Sequence, residues 1–290
     1  ETDSPTKTMP AGTAFTTTVD GTSFQFVTIA DITASNIGNT VAFDSTSLYE
    51  GTYVTIKYIV DTSDVEQRFI LTDDRADTST LTVQVQNAVN DSNLTTYTKA
   101  TDITQLSATS SVYYLQEVEN GRFEVYFGDD VVSKALSDGN VVILKYVVTN
   151  KTAANGASSF SAPSTIDGVS TISTTTVTSA SGGAEPESLE SIKLQAPLDF
   201  ASQGRAVTTE DYKVYARKLF PNTQAVSVWG GEDGSFDPSL GVSSTPEYGK
   251  VFISIKSTTG LNLSDAQKTQ LVKDFNKFKV ASVTPVIVDA

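Results

Sequence analysis

Apolar and polar residues alternate along residues 1–183, and this pattern predicts a β-rich region. Within 52–60, every second residue falls on one face, and 81–86 alternates apolar residues with Thr and Gln in the same way. A period of two is typical of antiparallel strands with one buried face. Gly-containing pairs separate the runs and predict turns, at Asp20-Gly21, Asn120-Gly121, Gly128-Asp129 and Asp138-Gly139. Asn120-Gly121, between 113–118 and 122–127, gives the clearest hairpin signal.

Residues 158–183 are rich in Ser and Thr and contain few charges. Such a composition fits a disordered linker. Apolar residues nevertheless interrupt the polar run, namely Ile166, Val169, Ile172 and Val177. We therefore expect ordered edge strands here, with the linker as the alternative.

After Gly182-Gly183 the period becomes helical. Thr208 with Asp211 predicts a capped helix from about 209 to 219, which Pro221 ends. Ser264 with Gln267 predicts a second capped helix, whose buried stripe comprises Leu271, Val272, Phe275 and Phe278. Strands predicted at 224–229, 250–256 and 282–289 surround these two helices.

The predicted fold class is therefore α+β and β-rich, with antiparallel β domains followed by a small α+β domain. We expect three parts. Residues 1–60 and 157–183 would form one discontinuous β domain, because 157–183 holds too few apolar residues to form a domain alone. Residues 61–156 would be an inserted β unit, and 184–290 the C-terminal α+β domain.

The composition removes most catalytic chemistry. The 290 residues include no His and no Cys. Imidazole bases, Cys nucleophiles and the usual zinc ligands are therefore unavailable, and no disulfide can form. A carboxylate pair of the glycosidase type is the main enzymatic possibility that remains. We expect a protein that is not an enzyme, with no cofactor and no metal.

The charge and hydropathy of the chain make two classes of partner unexpected, nucleic acids and membranes. A net charge of -14, without any basic cluster, opposes binding to nucleic acid. The apolar runs are far shorter than the roughly 20 residues of a membrane helix, so no membrane is expected. The chain starts at Glu1 and shows no signal peptide, which is the pattern of a fragment or a processed chain.

Three groups of acidic residues are candidates for a metal site or a catalytic site. Glu232, Asp233 and Asp237 resemble a calcium loop, but their spacing does not fit an EF-hand and an acidic surface loop is the simpler interpretation. Asp73-Asp74 and Asp129-Asp130 could each form a carboxylate pair, but both positions are typical of turns. We assign no catalytic role to them.

Four residues are candidates for a protein interface. Phe236, Tyr248 and Trp229 lie in or beside the long Gly/Pro/Ser loop from Gly230 to Gly249, where exposed aromatic residues would suit an interface. Core packing is an equal expectation for Trp229. Arg205 could bind a partner carboxylate, although a contact that ties its loop to its own helix is the simpler expectation.

Four local patterns, in this order, resemble the baseplate-J-like family of contractile phage tails. They are 10–15 (PAGTAF), 121–129 (GRFEVYFGD), 182–188 (GGAEPES), and 196–197 (AP) followed by 205–212 (RAVTTEDY). The first resembles an opening strand, the second a hairpin and the third the entry into a helix. Residues 77–81 and 190–193 look most like the T-even wedge branch. Asp130 departs from the family, since many relatives have Gly there; Asp tolerates the left-handed conformation better than most residues.

This resemblance implies a structural wedge subunit of the virion tail baseplate, assembled in the host cytoplasm. Such a subunit would form the inner ring around the hub and relay the change that triggers sheath contraction. The implied partners are further copies of itself, as a homodimer and in the ring, other wedge subunits and the sheath-initiating subunit. The chain would be the C-terminal part of that protein. A secreted β-rich adhesin or carbohydrate-binding module is the alternative, since Thr/Ser-rich strands also suit it.

Overall fold

A computed structural model describes residues 4–38, 40–101, 104, 106–232, 245–258, 260 and 262–290. The chain divides into two compact units, Glu1–Gly183 and Ala184–Ala290. Described elements of the first unit are almost all strands, whereas the second combines helices with a small sheet. The predicted fold class, β-rich with a small C-terminal α+β part, is confirmed.

The strands of the first unit form three sheets. In chain order they are β1 (Thr6–Met9), β2 (Ala14–Val19), β3 (Thr22–Val27), β4 (Ile32–Ile37), β5 (Thr40–Val41), β6 (Tyr49–Glu50), β7 (Thr52–Ile59), β8 (Phe69–Ile70), β9 (Ala76–Gln86), β10 (Thr95–Lys99), β11 (Val112–Glu117), β12 (Phe123–Tyr126) and β13 (Val141–Val148). Two sheets have three strands each, in the orders β1-β4-β5 and β2-β3-β6. The third has seven, in the order β7-β13-β9-β10-β11-β12-β8, and is antiparallel except between β10 and β11.

The seven-stranded sheet carries the main core of this unit. Strand β13 reads as an almost continuous apolar run because it lies between β7 and β9 and is buried along most of its length. Leu144 and Tyr146 of β13 pack with Leu71, Val83 and Val125, and all five are fully buried. Burial on this scale makes the sheet the rigid part of the unit.

Three of the four predicted turns are confirmed, at Asp20-Gly21, Asn120-Gly121 and Asp138-Gly139, whereas no turn is present at Gly128-Asp129. Asp20 and Gly21, both with positive φ, join β2 to β3 so that Val19 pairs with Thr22. Asn120 (φ 62°) and Gly121 (φ 70°) lie between β11 and β12, which pair antiparallel. These pairs adopt left-handed conformations without the penalty that a branched residue would pay, which is why the sequence signal is reliable. Asp130 is left-handed as well (φ 63°), as expected from its departure from the family pattern.

The prediction of edge strands in 158–183 was wrong, although the segment is ordered against its own unit. The segment contains no strand, only single bridges between Thr16 and Ser161 and between Ile166 and Val169. It is not a free linker either, because Ile166 is buried with Met9 and Phe15. The apolar residues of the segment are spaced three to five apart, so they anchor it at points and cannot present the alternating face of a strand.

The division of this unit into a discontinuous domain and an insertion stays a proposal. In its favour, the side chain of Lys7 donates to the carbonyl of Asp167 at 3.1 Å, and Thr16 bonds Ser161 in both directions. These contacts join residues about 150 positions apart in sequence. Since β7 belongs to the seven-stranded sheet, an inserted part would start at Thr52 rather than at residue 61.

The second unit contains helices α1 (Leu189–Ser202), α2 (Thr209–Leu219) and α3 (Asp265–Phe275), and strands β14 (Thr223–Gly230), β15 (Lys250–Ser257) and β16 (Thr284–Val288). The sheet order is β14-β15-β16, with β16 parallel to β15 across the α3 connection. Both predicted capping boxes are present, at Thr208 with Asp211 and at Ser264 with Gln267.

Helices α2 and α3 cover one face of this sheet. The core between them contains Tyr212 and Tyr215 of α2, Ile253 and Ile255 of β15, and Phe275 of α3. Of the stripe predicted for α3, Leu271 and Phe275 are buried in this core and Phe278 packs against it from beyond the end of the helix, whereas Val272 is only partly buried and lies outside the core. Helix α1 lies outside this core and contacts α2.

Candidate interaction surfaces

Helix α1 begins where the GGAEPES pattern implied a helix. The hydroxyl of Ser188 accepts from the backbone N–H of Ser191 at 3.3 Å and caps it. The helix ends at Gln203, whose left-handed backbone (φ 49°) turns the chain toward α2. The connection is fixed further on, where the N–H of Ala206 donates to the carbonyl of Phe278 at 2.8 Å.

The contact between α1 and α2 is polar. Ser202, at the end of α1, shares a hydrogen bond of 2.6 Å with the hydroxyl of Tyr215. One turn earlier, Asp199 forms an ion pair of 3.0 Å with Lys218. On a helix of 3.6 residues per turn, these residues share a side with Ser191 and Gln195, which are also partly buried. Helix α1 therefore turns its polar side inward.

Large apolar residues are exposed on several sides of α1. The exposed fractions are 64% for Leu189, 44% for Ile192, 65% for Leu194, 44% for Leu198 and 85% for Phe200. Leu189, Ile192 and Phe200 follow the spacing i, i+3, i+11 of one helical face, with Ala196 at i+7. Leu194 and Leu198 lie four apart on another side of the helix, and we call all five large residues together the α1 apolar face. None of these residues is predicted from the sequence, because apolar residues spread around a helix give no one-sided pattern.

A second surface lies at one end of the β14–β15 pair. Trp229 of β14 stands opposite Phe252 of β15, and their rings stack with centroids 5.9 Å apart. These side chains point to the sheet face opposite the core residues Ile253 and Ile255. The indole N–H of Trp229 is buried and, among the described residues, has no hydrogen-bond partner. Trp229 thus packs on Phe252 outside the helix-covered core, and its role at an interface stays a prediction.

Tyr248 lies just beyond this pair, where the loop returns to β15. The loop is closed at its base by hydrogen bonds from Gly231 to Lys250 (2.8 Å) and from Glu247 to Gly231 (2.7 Å). Tyr248 follows that closure and is 76% exposed. The structure therefore places Trp229 and Tyr248 at the same end of the hairpin, which we call the hairpin end. Phe236 lies outside the described residues.

Arg205 belongs to neither surface by its position in the chain. It is exposed on the connection between α1 and α2, and its guanidinium lies 3.5 Å from the side-chain oxygen of Gln203. Within the described part of the chain it forms no ion pair. This contact stays within the connection itself and does not tie Arg205 to α2, so both expectations for Arg205 stay predictions.

The acidic pairs act in turns. Asp73 accepts from the N–H of Arg75 at 2.9 Å, Asp129 from Val131 at 3.1 Å, and Asp130 from Ala135 at 2.8 Å. Of the possible calcium loop, Asp233 and Asp237 lie outside the described residues. In the ranges that the structure describes, acidic side chains do not cluster in a way that would hold a metal ion. Among the tyrosines, burial raises the pKa of Tyr113, as expected for a tyrosine in the core that makes no use of its charged form.

The described helices include none with the length and apolar character needed to cross a membrane. Helix α1, the longest of them, has 14 residues and carries its charged residues Glu190, Lys193 and Asp199 among the apolar ones. Exposed apolar residues grouped on a folded domain usually mark an interaction site.

Comparisons with known proteins agree on one family. Residues 55–157 match the family described as "Bacteriophage baseplate wedge protein gp6, third domain", and residues 208–288 match "Baseplate structural protein gp6, C-terminal domain I". Together these two matches cover more than half of the chain. The first includes most of the seven-stranded sheet, and the second runs from the α2 cap through β16.

One curated relative is the "Baseplate wedge protein gp6" of Enterobacteria phage T4, 26% identical over 307 aligned positions. The alignment covers 97% of this chain but 43% of the relative, so the chain spans less than half of that protein's length. Among solved structures, the baseplate of the anti-feeding prophage, determined by cryo-EM, is 13% identical with a TM-score of 0.28, covering 100% of this chain and 54% of that one. From the two domain matches and the near-complete alignment, the chain belongs to the T4-like family of bacteriophage baseplate wedge proteins, gp6.

Proposed function

We propose that this chain is a structural part of a contractile-tail baseplate wedge in the virion, and that it works by forming permanent contacts with neighbouring subunits. In this role it helps to form the inner ring around the hub and to relay the change that triggers sheath contraction. Support comes from the family matches, whose relatives are named as structural baseplate proteins. The adhesin alternative rests only on the Thr/Ser-rich strands and has no comparable support.

The α1 apolar face carries the proposal. An exposed Phe200 and two exposed Leu residues near 65% are costly on a surface, since burying such side chains is worth roughly 1.5–3 kcal/mol each. The side of α1 that could have buried them instead holds Ser202 and Asp199 in polar contacts with α2. The helix is thereby fixed with its apolar residues outward, which prepares it to receive another wedge subunit.

The hairpin end is the proposed contact with a second copy. Tyr248 is exposed there, and the loop that leads to it is longer than a strand connection requires. A two-fold contact uses each patch twice, so one substitution would damage both sides of the interface. Aromatic residues are common at the centres of such contacts. The chain acts without catalysis in this proposal, and no cofactor or metal takes part.

The two surfaces are tested separately with the full chain. For the hairpin end, sedimentation velocity over a concentration series should show self-association that is weakened in the double variant Phe236→Ser, Tyr248→Ser. For the α1 apolar face, binding to the purified neighbouring wedge subunits should be lost in the double variant Leu189→Ser, Phe200→Ser. Val65→Ser is the matched control, because Val65 is 94% exposed on the first unit and belongs to neither surface.

For each of the two proposed contacts, one experimental result would contradict the proposal. If the Tyr248 variant associates as strongly as the parent, the contact between copies lies elsewhere. If the Phe200 variant still joins the wedge, the α1 apolar face is not the surface for neighbouring subunits. Negative-stain images of the assembled wedge would then show whether any ring forms, and its absence with intact partners would overturn the structural role itself.

A further inference from the structure

The segment 169–181 of the first unit has the sequence of a strand. It consists of Val, Ile, Thr, Ser and a single Ala, with no Pro and no charge. The β-branched residues among them, Val, Ile and Thr, favour the extended backbone of a sheet. The surrounding stretch 168–184 is also the longest run without a charged residue in a chain of net charge -14. Local propensity therefore calls for a strand that the described structure does not contain.

The segment is held at both ends. At its start, Ile166 and Val169 exchange hydrogen bonds of 2.9 Å. At its end, the N–H of Ala180 donates to Ala157, and the carbonyl of Ala180 accepts from Gly156, both at 2.8 Å. In between, the hydroxyl of Thr174 donates to the carbonyl of Phe160 at 2.7 Å. The segment is therefore fixed along the surface of its own unit.

Its backbone is nevertheless unpaired. Among the described residues, the N–H groups of 170–179 donate to no backbone carbonyl. A groove of about 1580 Å³ is lined by this segment and by residues 40–50, and the hydrogen bonds of the described structure include none between the backbones of these two stretches. Such a row of free donors and acceptors is a template for another strand.

We propose that segment 169–181 pairs antiparallel with the same segment of a second copy and forms an intermolecular β-ribbon. The net charge of the chain indicates where two copies can approach each other most easily. Two copies carry -14 each, so a contact between them is least opposed where neither contributes a charge, and this segment offers the longest such stretch. The proposal deepens the ring role proposed above: a two-fold contact at the hairpin end alone gives a dimer, and a ring of copies needs a second contact.

A two-fold axis at Thr175 gives a consistent register. Ile172, which packs toward the Met9 and Phe15 cluster, and Thr174 would then share the inward side of the strand. Val177, which is 74% exposed, falls on the outward side. Thr174 would stand opposite Thr176 of the second copy, and cross-strand Thr pairs are favourable.

The test compares Thr175→Pro with Thr175→Ala in the full chain. Proline removes a backbone donor from the ribbon, whereas alanine keeps it and removes only the side chain. Because the two-fold axis repeats the loss, Thr175→Pro should weaken self-association by about tenfold or more, with Thr175→Ala close to the parent. Sedimentation velocity measures this change. Unaltered thermal unfolding of Thr175→Pro shows that the monomer is still folded.

Hydrogen exchange supplies the second measurement. In an antiparallel pair only every second residue faces the partner strand, and Ala180 already faces its own unit. The amides of 171, 173, 175, 177 and 179 should therefore exchange quickly in the dilute monomer and slowly once copies associate, also in the double variant Phe236→Ser, Tyr248→Ser. That variant separates this proposal from the hairpin end, which its substitutions disrupt. The ribbon is overturned if these amides stay unprotected in associated protein, if Thr175→Pro associates like the parent, or if the chain remains monomeric at its highest soluble concentration.

Discussion

Ser202 and Tyr215 share a hydrogen bond of 2.6 Å at the point where α1 docks on α2. The Ser202 hydroxyl also donates to the carbonyl of Asp199 at 2.7 Å, so its oxygen accepts the proton of Tyr215. Both side chains are buried. This pair, together with the ion pair of Asp199 and Lys218, orients α1 so that its apolar residues face outward.

The roles of donor and acceptor predict unequal effects of substitution. Ser202→Ala leaves the Tyr215 hydroxyl buried without an acceptor and should cost about 1–3 kcal/mol of unfolding free energy. Tyr215→Phe leaves Ser202 bonded to Asp199 and should cost less, about 1 kcal/mol. Urea unfolding followed by the fluorescence of Trp229, the one tryptophan of the chain, reports on this unit. Equal losses, or a larger loss for Tyr215→Phe, would contradict the assignment.

The Thr208 cap should stabilise α2 measurably. Its hydroxyl accepts from the N–H of Asp211 at 3.2 Å, so Thr208→Ala removes one partner from the first turn of the helix. We expect a loss of about 1 kcal/mol. Thr209→Ala is the matched control, since Thr209 is exposed inside the helix, where Ala has the higher propensity. A neutral Thr208→Ala result in urea unfolding would count against the cap.

Asp211 should make the stability of this unit depend on pH. Burial tends to raise the pKa of Asp211, but hydrogen bonds from the N–H groups of Thr208 and Val207 outweigh it, so the pKa is lowered. Its stabilisation is therefore complete above the unfolded value of about 3.9 and is lost as the pH falls through the folded value. Against Asp211→Asn, the parent should lose its advantage over the acid range below about pH 3.9. Parallel unfolding curves over that range would refute the link.

Gly51 should be intolerant of a side chain. Its φ is 127°, and a Cβ there would lie 2.1 Å from the carbonyl oxygen of Val148. Gly51→Ala should therefore cost about 3 kcal/mol or more, from strain and from displacement of β13. Gly21→Ala is the matched control, because Gly21 also has positive φ (80°) but open space around it, and should cost about 1 kcal/mol. Thermal unfolding by circular dichroism compares them, and similar midpoints would show that β13 can move aside.

The second unit shows which structural features can be predicted from residues that are close in sequence. The boxes at Thr208 and Ser264 and the stripes of α2 and α3 were predictable, because a cap involves residues three apart and a stripe repeats every turn. The exposed apolar residues of α1 form no such stripe, because they are spread around the helix. Their outward orientation depends on Tyr215 and Lys218, which lie on another helix and offer polar partners to Ser202 and Asp199.

The sequence by itself determined the turns, the helix caps, the absence of His and Cys chemistry and the β-rich to α+β change near Gly183, since each depends on neighbouring residues or on composition alone. Tertiary structure decided the rest. Strand β13 could pair with β7 and β9 only after the chain had brought residues 52–86 beside it, and segment 169–181 stayed unpaired although its propensity favours a strand. A strand is stable only when a partner supplies its hydrogen bonds, and that partner is fixed by the whole fold or by another subunit.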